Sequence, residues 1–168
     1  MRLLRLLRPD PYSSAVARLI AAVLADDGYI MVLGQEPARL QVLVRVSSEL
    51  ASLRCRVVRV AANEPDELSL HDFVQQLSGQ LGSHAGPGDT LERIHRYLTE
   101  ADASCERIAL LIDNAHLLQA STLRFIQLTC RSGPNLRVVL ASNEHVAANP
   151  CTPEFSLLQA RSSTCISL

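Results

Sequence analysis

The chain of 168 residues has no lysine and no tryptophan, and aromatic residues make up only 4% of it. Every one of its 16 basic residues is therefore arginine, a bias that a GC-rich genome produces. The formal net charge is −1, so no global field draws the protein to nucleic acid or anionic lipid. Arg54, Arg56 and Arg59 cluster, but no aromatic side chain interleaves with them as a base-stacking surface requires. No apolar run is long enough to span a bilayer. The first eleven residues form a basic arm whose Arg2, Arg5 and Arg8 share a helical face. Pro9 and Pro11 stop that arm early, and it lacks the apolar core and cleavage site of a signal peptide. It reads as a solvated terminal helix rather than a membrane contact.

The five cysteines, Cys55, Cys105, Cys130, Cys151 and Cys165, show no C-x-x-C spacing. They are expected as small core residues or inert thiols in a reducing cytoplasm. His71, His84, His95, His116 and His145 are scattered and offer no metal-ligand spacing. No G-x-S-x-G nucleophile elbow occurs. Asp26 and Asp27 follow a helical pattern where the dipole disfavours them, and read as solvated.

What remains is a regular alternation of strand and helix patterns. A 48% hydrophobic content and this length give one domain with a sizeable core. Ser13 and Ser14 are placed to cap a helix through Leu24, with Gly28 at its end. Strand-like runs follow at 29–33, 56–60, 108–112 and 136–140, with a last short one at 164–168. Helices are expected from about Ala38 to Leu53, with Pro37 in the first turn, and from Ser121 to Arg131. Two more begin at the capping pairs Ser69/Asp72 and Asp89/Glu92. The second of these turns Leu91, Ile94, Leu98 and Ala101 inward. Residues 82–88 form a flexible loop by composition. Such alternation predicts a three-layer α/β sandwich with a mostly parallel sheet, spanning 1–168 as a single unit.

Two segments carry the functional question. The first is Gly34-Gln35-Glu36-Pro37-Ala38-Arg39-Leu40-Gln41, set between strand 29–33 and a helix. Strand, loop and helix are the setting of the phosphate-cradling rule G-x-x-x-x-G-K-[ST]. Gly34 stands, but Arg39 replaces the second glycine, Leu40 the lysine and Gln41 the hydroxyl. A second alignment starts the motif at Gln35 and places Leu40, Gln41 and Val42 at those three positions. The other segment is Ala109-Leu110-Leu111-Ile112-Asp113-Asn114-Ala115-His116-Leu117-Leu118. It is an apolar strand ending in an acid, which also suits a polar strand end that caps the next turn.

With these two segments the chain resembles the AAA+ ATPases, P-loop NTPases. The nearest group is that of the bacterial secretion-pathway and transposition ATPases, which read "LLIDEAHLL" where this chain has Asn114. The resemblance runs along nearly the whole chain and implies several roles. Asp113 matches the Mg²⁺ position, and Asn114 stands where the catalytic Glu belongs. Asn143 lies at or beside the sensor-1 position. Arg161 matches the late arginine that reaches a neighbouring subunit. The C-terminal helical lid has no counterpart in these residues.

Without glycine a backbone cannot easily curl around a phosphate. Without the lysine and hydroxyl, phosphate and Mg²⁺ lose partners, and Asn114 cannot take a proton from water. The expectation is a degenerate AAA+-like domain, a pseudo-ATPase with no catalytic residues, no resident metal and no cofactor. It would act as a cytoplasmic scaffold or regulatory module in a bacterial secretion, envelope or mobile-element assembly. It would bind protein partners and self-associate weakly or not at all. The alternative is a divergent ATPase that binds ATP and Mg²⁺ through Gly34, Arg39 and Asp113 and is completed by a neighbouring subunit.

Overall fold

A computed structural model describes residues 10–25, 28–63, 67–82, 89–132, 135–145 and 152–168. The basic residues Arg2, Arg5 and Arg8, with Asp26, Asp27, His84 and Cys151, lie outside them, as do residues 83–88 of the loop expected over 82–88. Five strands form one sheet: β1 (Tyr29–Leu33), β2 (Arg56–Ala61), β3 (Ile108–Asp113), β4 (Leu136–Ser142) and β5 (Ser162–Ser167). Their spatial order is β2-β3-β4-β1-β5, and every neighbouring pair is parallel. Parallel neighbours need crossovers, and six helices among the described residues supply them. These are α1 (Ser13–Leu24), α2 (Glu36–Ser52), α3 (Leu70–Leu81), α4 (Thr90–Ala103), α5 (Ala120–Ser132) and α6 (Pro153–Ala160).

The strands show why the sheet is central. β1, β3 and β4 are buried along their full lengths, as continuous apolar runs between two helical layers must be. On one face Leu19 and Val23 of α1 and Val42, Leu43, Val46 and Leu50 of α2 pack on Ile30, Val32, Ala109, Leu111 and Val139. On the other, α3, α4, α5 and α6 bury Phe73, Leu77, Ile94, Ile126 and Phe155 against Met31, Val58, Leu110 and Val138. Alternate residues of each strand thus feed two separate cores.

Local signals differ in how they act. Ser69 and Asp89 cap α3 and α4, accepting from the Asp72 and Glu92 N–H groups. Pro37 lies in the first turn of α2. Ser13 and Ser14, by contrast, lie inside α1, whose cap position is Tyr12 with no side-chain cap. Asp10 acts instead, accepting from the Tyr12 N–H at 3.3 Å and the Ser13 hydroxyl at 3.2 Å. Gly28 ends no helix, since α1 stops at Leu24 and its cap residue Ala25 is extended. The left-handed glycine is Gly82, at φ 70°, closing α3.

Leu91 is exposed rather than inward. Cys55 is buried and Cys130 partly so, but Cys105 and Cys165 are exposed rather than core residues. Burial pushes the Cys130 thiol up to about 12 and raises that of Cys55, against weaker opposing pulls from hydrogen bonds and nearby arginines. Those two thiols are therefore inert near neutrality. No described helix is long and apolar enough to cross a membrane.

Candidate functional site

In open parallel sheets ligands collect beyond the carboxyl ends of the strands. Here those ends are level. Leu33 pairs with Ser142, Ile112 with Leu140, and Ala61 with Asp113. The segment after β1, the end of β3 and the end of β4 therefore meet in one place. Gly34 is drawn in by its N–H, which donates to Ser142 O at 3.1 Å. A side chain at Gly34 would collide with Leu168, whose Cβ lies 2.9 Å from where its own Cβ would be.

Arg39 sits in the first turn of α2 and is 2% exposed. All three guanidinium nitrogens are engaged. Nε donates to Asp113 Oδ1 at 3.0 Å, Nη1 to Gly34 O at 2.7 Å, and Nη2 to Asn114 Oδ1 at 2.5 Å. A cation at a helix N-terminus opposes the helix dipole, and the Asp113 carboxylate offsets it there. Asp113 is 5% exposed and also accepts from the Asn114 N–H at 2.9 Å.

Asn114 adopts left-handed backbone, φ 51° and ψ 42°, which Asn tolerates better than most residues. From there its Nδ2 reaches Ala62 O at 3.0 Å, tying the end of β3 to the end of β2. A short 3₁₀ turn, Ala115–Leu117, follows. It aims His116 at β4, with Nδ1 3.0 Å from Ser142 Oγ and Nε2 3.4 Å from Asn143 Nδ2.

Of the residues the sequence singles out, Gly34, Arg39, Asp113 and Asn114 form one bonded cluster, with Asn143 beside it through His116. Leu40 and Gln41 are exposed on α2 and take no part. Arg161 precedes Ser162, which pairs with Tyr29 at the start of β1. Arg161 therefore lies at the opposite, amino end of the sheet, exposed. The linking roles of Ala62, Ser142 and His116 were not legible from spacing. The one signal was the polar Ser142 ending an apolar strand.

The fit to nucleotide and Mg²⁺ can be judged from these atoms. Of the N–H groups from 34 to 39, that of Gly34 goes to Ser142 O and that of Arg39 to Gln35 O at 3.0 Å, while those of Gln35, Glu36 and Ala38 make no backbone bond to described residues. Pro37 has none. Asp113 faces a guanidinium, and the pair is neutral together. Within this cluster no free positive charge remains for phosphate, and no unpaired carboxylate for a divalent ion. The side chains of the cluster thus offer the group neither a free cation nor an uncommitted carboxylate. No group of three or more His, Cys, Asp or Glu suited to a metal occurs among the described residues. A cavity of about 910 Å³ opens elsewhere, between α4 and α5, lined by Leu91, Ile94, Leu98, Phe125 and Leu128. It shares no residue with the Arg39 cluster.

An all-parallel sheet in this order, with a loop-to-helix turn after β1 and an acid ending β3, defines the α/β core of a P-loop NTPase. The family model for the AAA domain matches residues 16–148, and the chain belongs to that family. Solved structures agree on the fold. The Cdc6p protein of Pyrobaculum aerophilum superposes with a TM-score of 0.68 at 14% identity, over 96% of this chain and 46% of that one. The Aeropyrum pernix ORC2 protein, solved as ADPNP and ADP complexes, gives 0.70 at 11% identity, over 96% and 49%. Drosophila ORC bound to poly(dA/dT) DNA and Cdc6 gives 0.67 at 13% identity, over 93% and 28%. The chain thus spans less than half the length of each. No curated protein matches it.

Proposed function

We propose that this chain is an AAA+-like domain working as a non-hydrolysing scaffold or regulatory module within a larger protein assembly. The observation that carries the reading is the Arg39 side chain. It bonds and neutralises Asp113, and on this reading it fills the place where a metal-bound phosphate would sit. Close packing favours such a filling, because an empty phosphate cavity would cost stability. The finer context of the proposal is a bacterial secretion, envelope or mobile-element machine, and rests on the resemblance of Leu110–Leu118 to that group. DNA, present with the Drosophila relative, is not part of the proposal, since the net charge is −1 and arginines are not interleaved with aromatic residues.

Thermal unfolding with Mg-ATP against Mg²⁺ alone is the test. A ligand at about 100 times its dissociation constant stabilises a fold by about 2.7 kcal/mol, a shift of several degrees at this size. The expected shift at millimolar Mg-ATP is none. One observation favours a second reading. Arg161 is exposed at the far end of the sheet, open to a neighbouring subunit, as a divergent ATPase completed between subunits would need. A clear Mg-ATP-dependent shift would establish that reading and overturn the scaffold.

A further inference from the structure

The two edges of the sheet are treated differently. β2, one edge, is guarded at its centre. The Arg59 N–H donates to Gln80 Oε1 at 2.8 Å, and Gln80 Nε2 donates to Arg59 O. A side-chain amide from α3 thus stands in for a neighbouring strand. Arg56 adds a bond to Leu81 O at 3.1 Å, and the strand carries two positive charges, which also guard an edge.

β5, the other edge, has none of these guards. From Ser162 to Leu168 the sequence is Ser-Ser-Thr-Cys-Ile-Ser-Leu, with no charged side chain and no proline. Its pairing with β1 is irregular where Tyr29 meets Ser162 and regular from Thr164 onward. Leu168 N–H donates to Leu33 O at 2.9 Å, which fixes the alternation. Ile166 and Leu168 turn their peptide groups toward β1, while Cys165 and Ser167 turn theirs outward. Both outward residues are exposed, and their backbone groups have no partner among the described residues.

We propose that two copies of this chain pair through β5, antiparallel about a two-fold axis at Ile166, joining their sheets. The stretch is self-complementary in that register. Cys165 of one copy faces Ser167 of the other, and the reverse. Each facing pair exchanges two N–H···O bonds, as the hydrogen-bonded pairs of an antiparallel ladder do at a Cα separation of about 5.5 Å. Every outward peptide group of the regular segment is thereby satisfied. The absence of charged side chains removes the like-charge repulsion that separates identical edges. An unguarded edge is a ready template for such pairing, and a homodimer with two-fold symmetry is the commonest closed assembly. Four backbone bonds make a small interface, so the dimer is weak and reversible. It needs no nucleotide, and stands or falls apart from the phosphate-site reading.

Sedimentation velocity over a concentration series tests it, with and without Mg-ATP. The expected result is a dimer fraction that rises with protein concentration and ignores Mg-ATP. Two exposed-site double variants then test the register. C165K/S167K sets ammonium against ammonium in both pairs, and should weaken dimerisation at least about ten-fold. C165E/S167K sets a carboxylate of one copy against an ammonium of the other in both pairs, and should restore it. Thermal melts of both should match the parent, since the changed side chains face solvent. A monomer at all concentrations would overturn the proposal. So would a dimer indifferent to both variants, or one formed only with Mg-ATP.

Discussion

Two ion pairs of the same chemistry sit in this molecule under opposite conditions. Arg39 and Asp113 meet with side chains 3% and 7% exposed, while Arg124 and Glu154 meet with side chains 70% and 13% exposed, at the edge of solvent. In the second, Glu154 Oε1 accepts from both Nε and Nη2, at 3.1 and 2.7 Å. By distance alone it is the better pair. Water makes the difference. An exposed pair exchanges hydration for contact at little net gain, whereas a buried pair leaves a bare charge behind if one partner is lost. The lesson is that the Arg39–Asp113 bridge fixes an arrangement more than it adds stability, while the surface pair does little of either.

The largest way to sharpen that contrast is Asp113→Ala. It strands the Arg39 guanidinium in the interior, and should cost about 3–5 kcal/mol. For a domain of this size that lowers the melting point by roughly 10 °C, measurable by calorimetry. Replacing both partners, Arg39→Leu with Asp113→Leu, removes the charges together. The double variant should recover most of that loss and unfold within about 1–2 kcal/mol of the parent. If the double variant were as unstable as the single one, the pair would be a net stabiliser and the comparison would fail.

On the surface, Arg124→Ala should lower the melting point by no more than about 2 °C. Its clearer trace should appear in a titration. The hydrogen bond from Arg124 holds the Glu154 carboxyl below its ordinary value of 4.5. A depressed carboxyl contributes above its unfolded value, and that contribution disappears as pH falls through the folded one. Arg124→Ala should return Glu154 toward 4.5 by NMR titration, and its small effect on the melt should be present at neutral pH and fade as pH falls through the folded value. The smallest expected effect is that of salt. Raising NaCl to high concentration should screen the Arg124–Glu154 pair and spare the buried one, read as an upward shift of the Glu154 titration alone.

Much of this fold was legible because it rests on periodicity. Runs such as Ile108–Ile112 are too apolar for anything but a sheet interior, and the cap pairs at Ser69 and Asp89 announce their helices. α1 was read from its apolar spacing, yet its cap was misassigned. The hydroxyls of Ser13 and Ser14 suit the position, but Asp10 upstream holds the turn. The cluster at the strand ends was legible in its members and not in its bonds. That Asp113, Arg39 and Gly34 would lie together was implied by the resemblance alone, and the strand order that brings them there, with β1 and β3 flanking β4, came from the structure. That Arg39 rather than Leu40 would turn inward depends on the phase of α2 about its axis, which one residue of offset reverses. The links through Ala62 and His116 depend on the left-handed turn at Asn114, for which an asparagine alone is a weak signal.

That turn bears on which neighbours in sequence space the chain can reach. Asn114→Glu would put a longer side chain into left-handed backbone that disfavours it, and would remove the amide that spans from Arg39 to Ala62. Arg39→Gly would free the loop but isolate the Asp113 charge. Leu40→Lys would add a cation on the solvent side of α2, pointing away from Asp113. The two changes inside the cluster thus lose something in the folded chain, and the one at Leu40 leaves the cluster untouched. The arrangement acts as a ratchet: drift along the exposed surface of α2 is free, whereas exchange of any one residue of the bonded cluster must wait for matching changes at its partners.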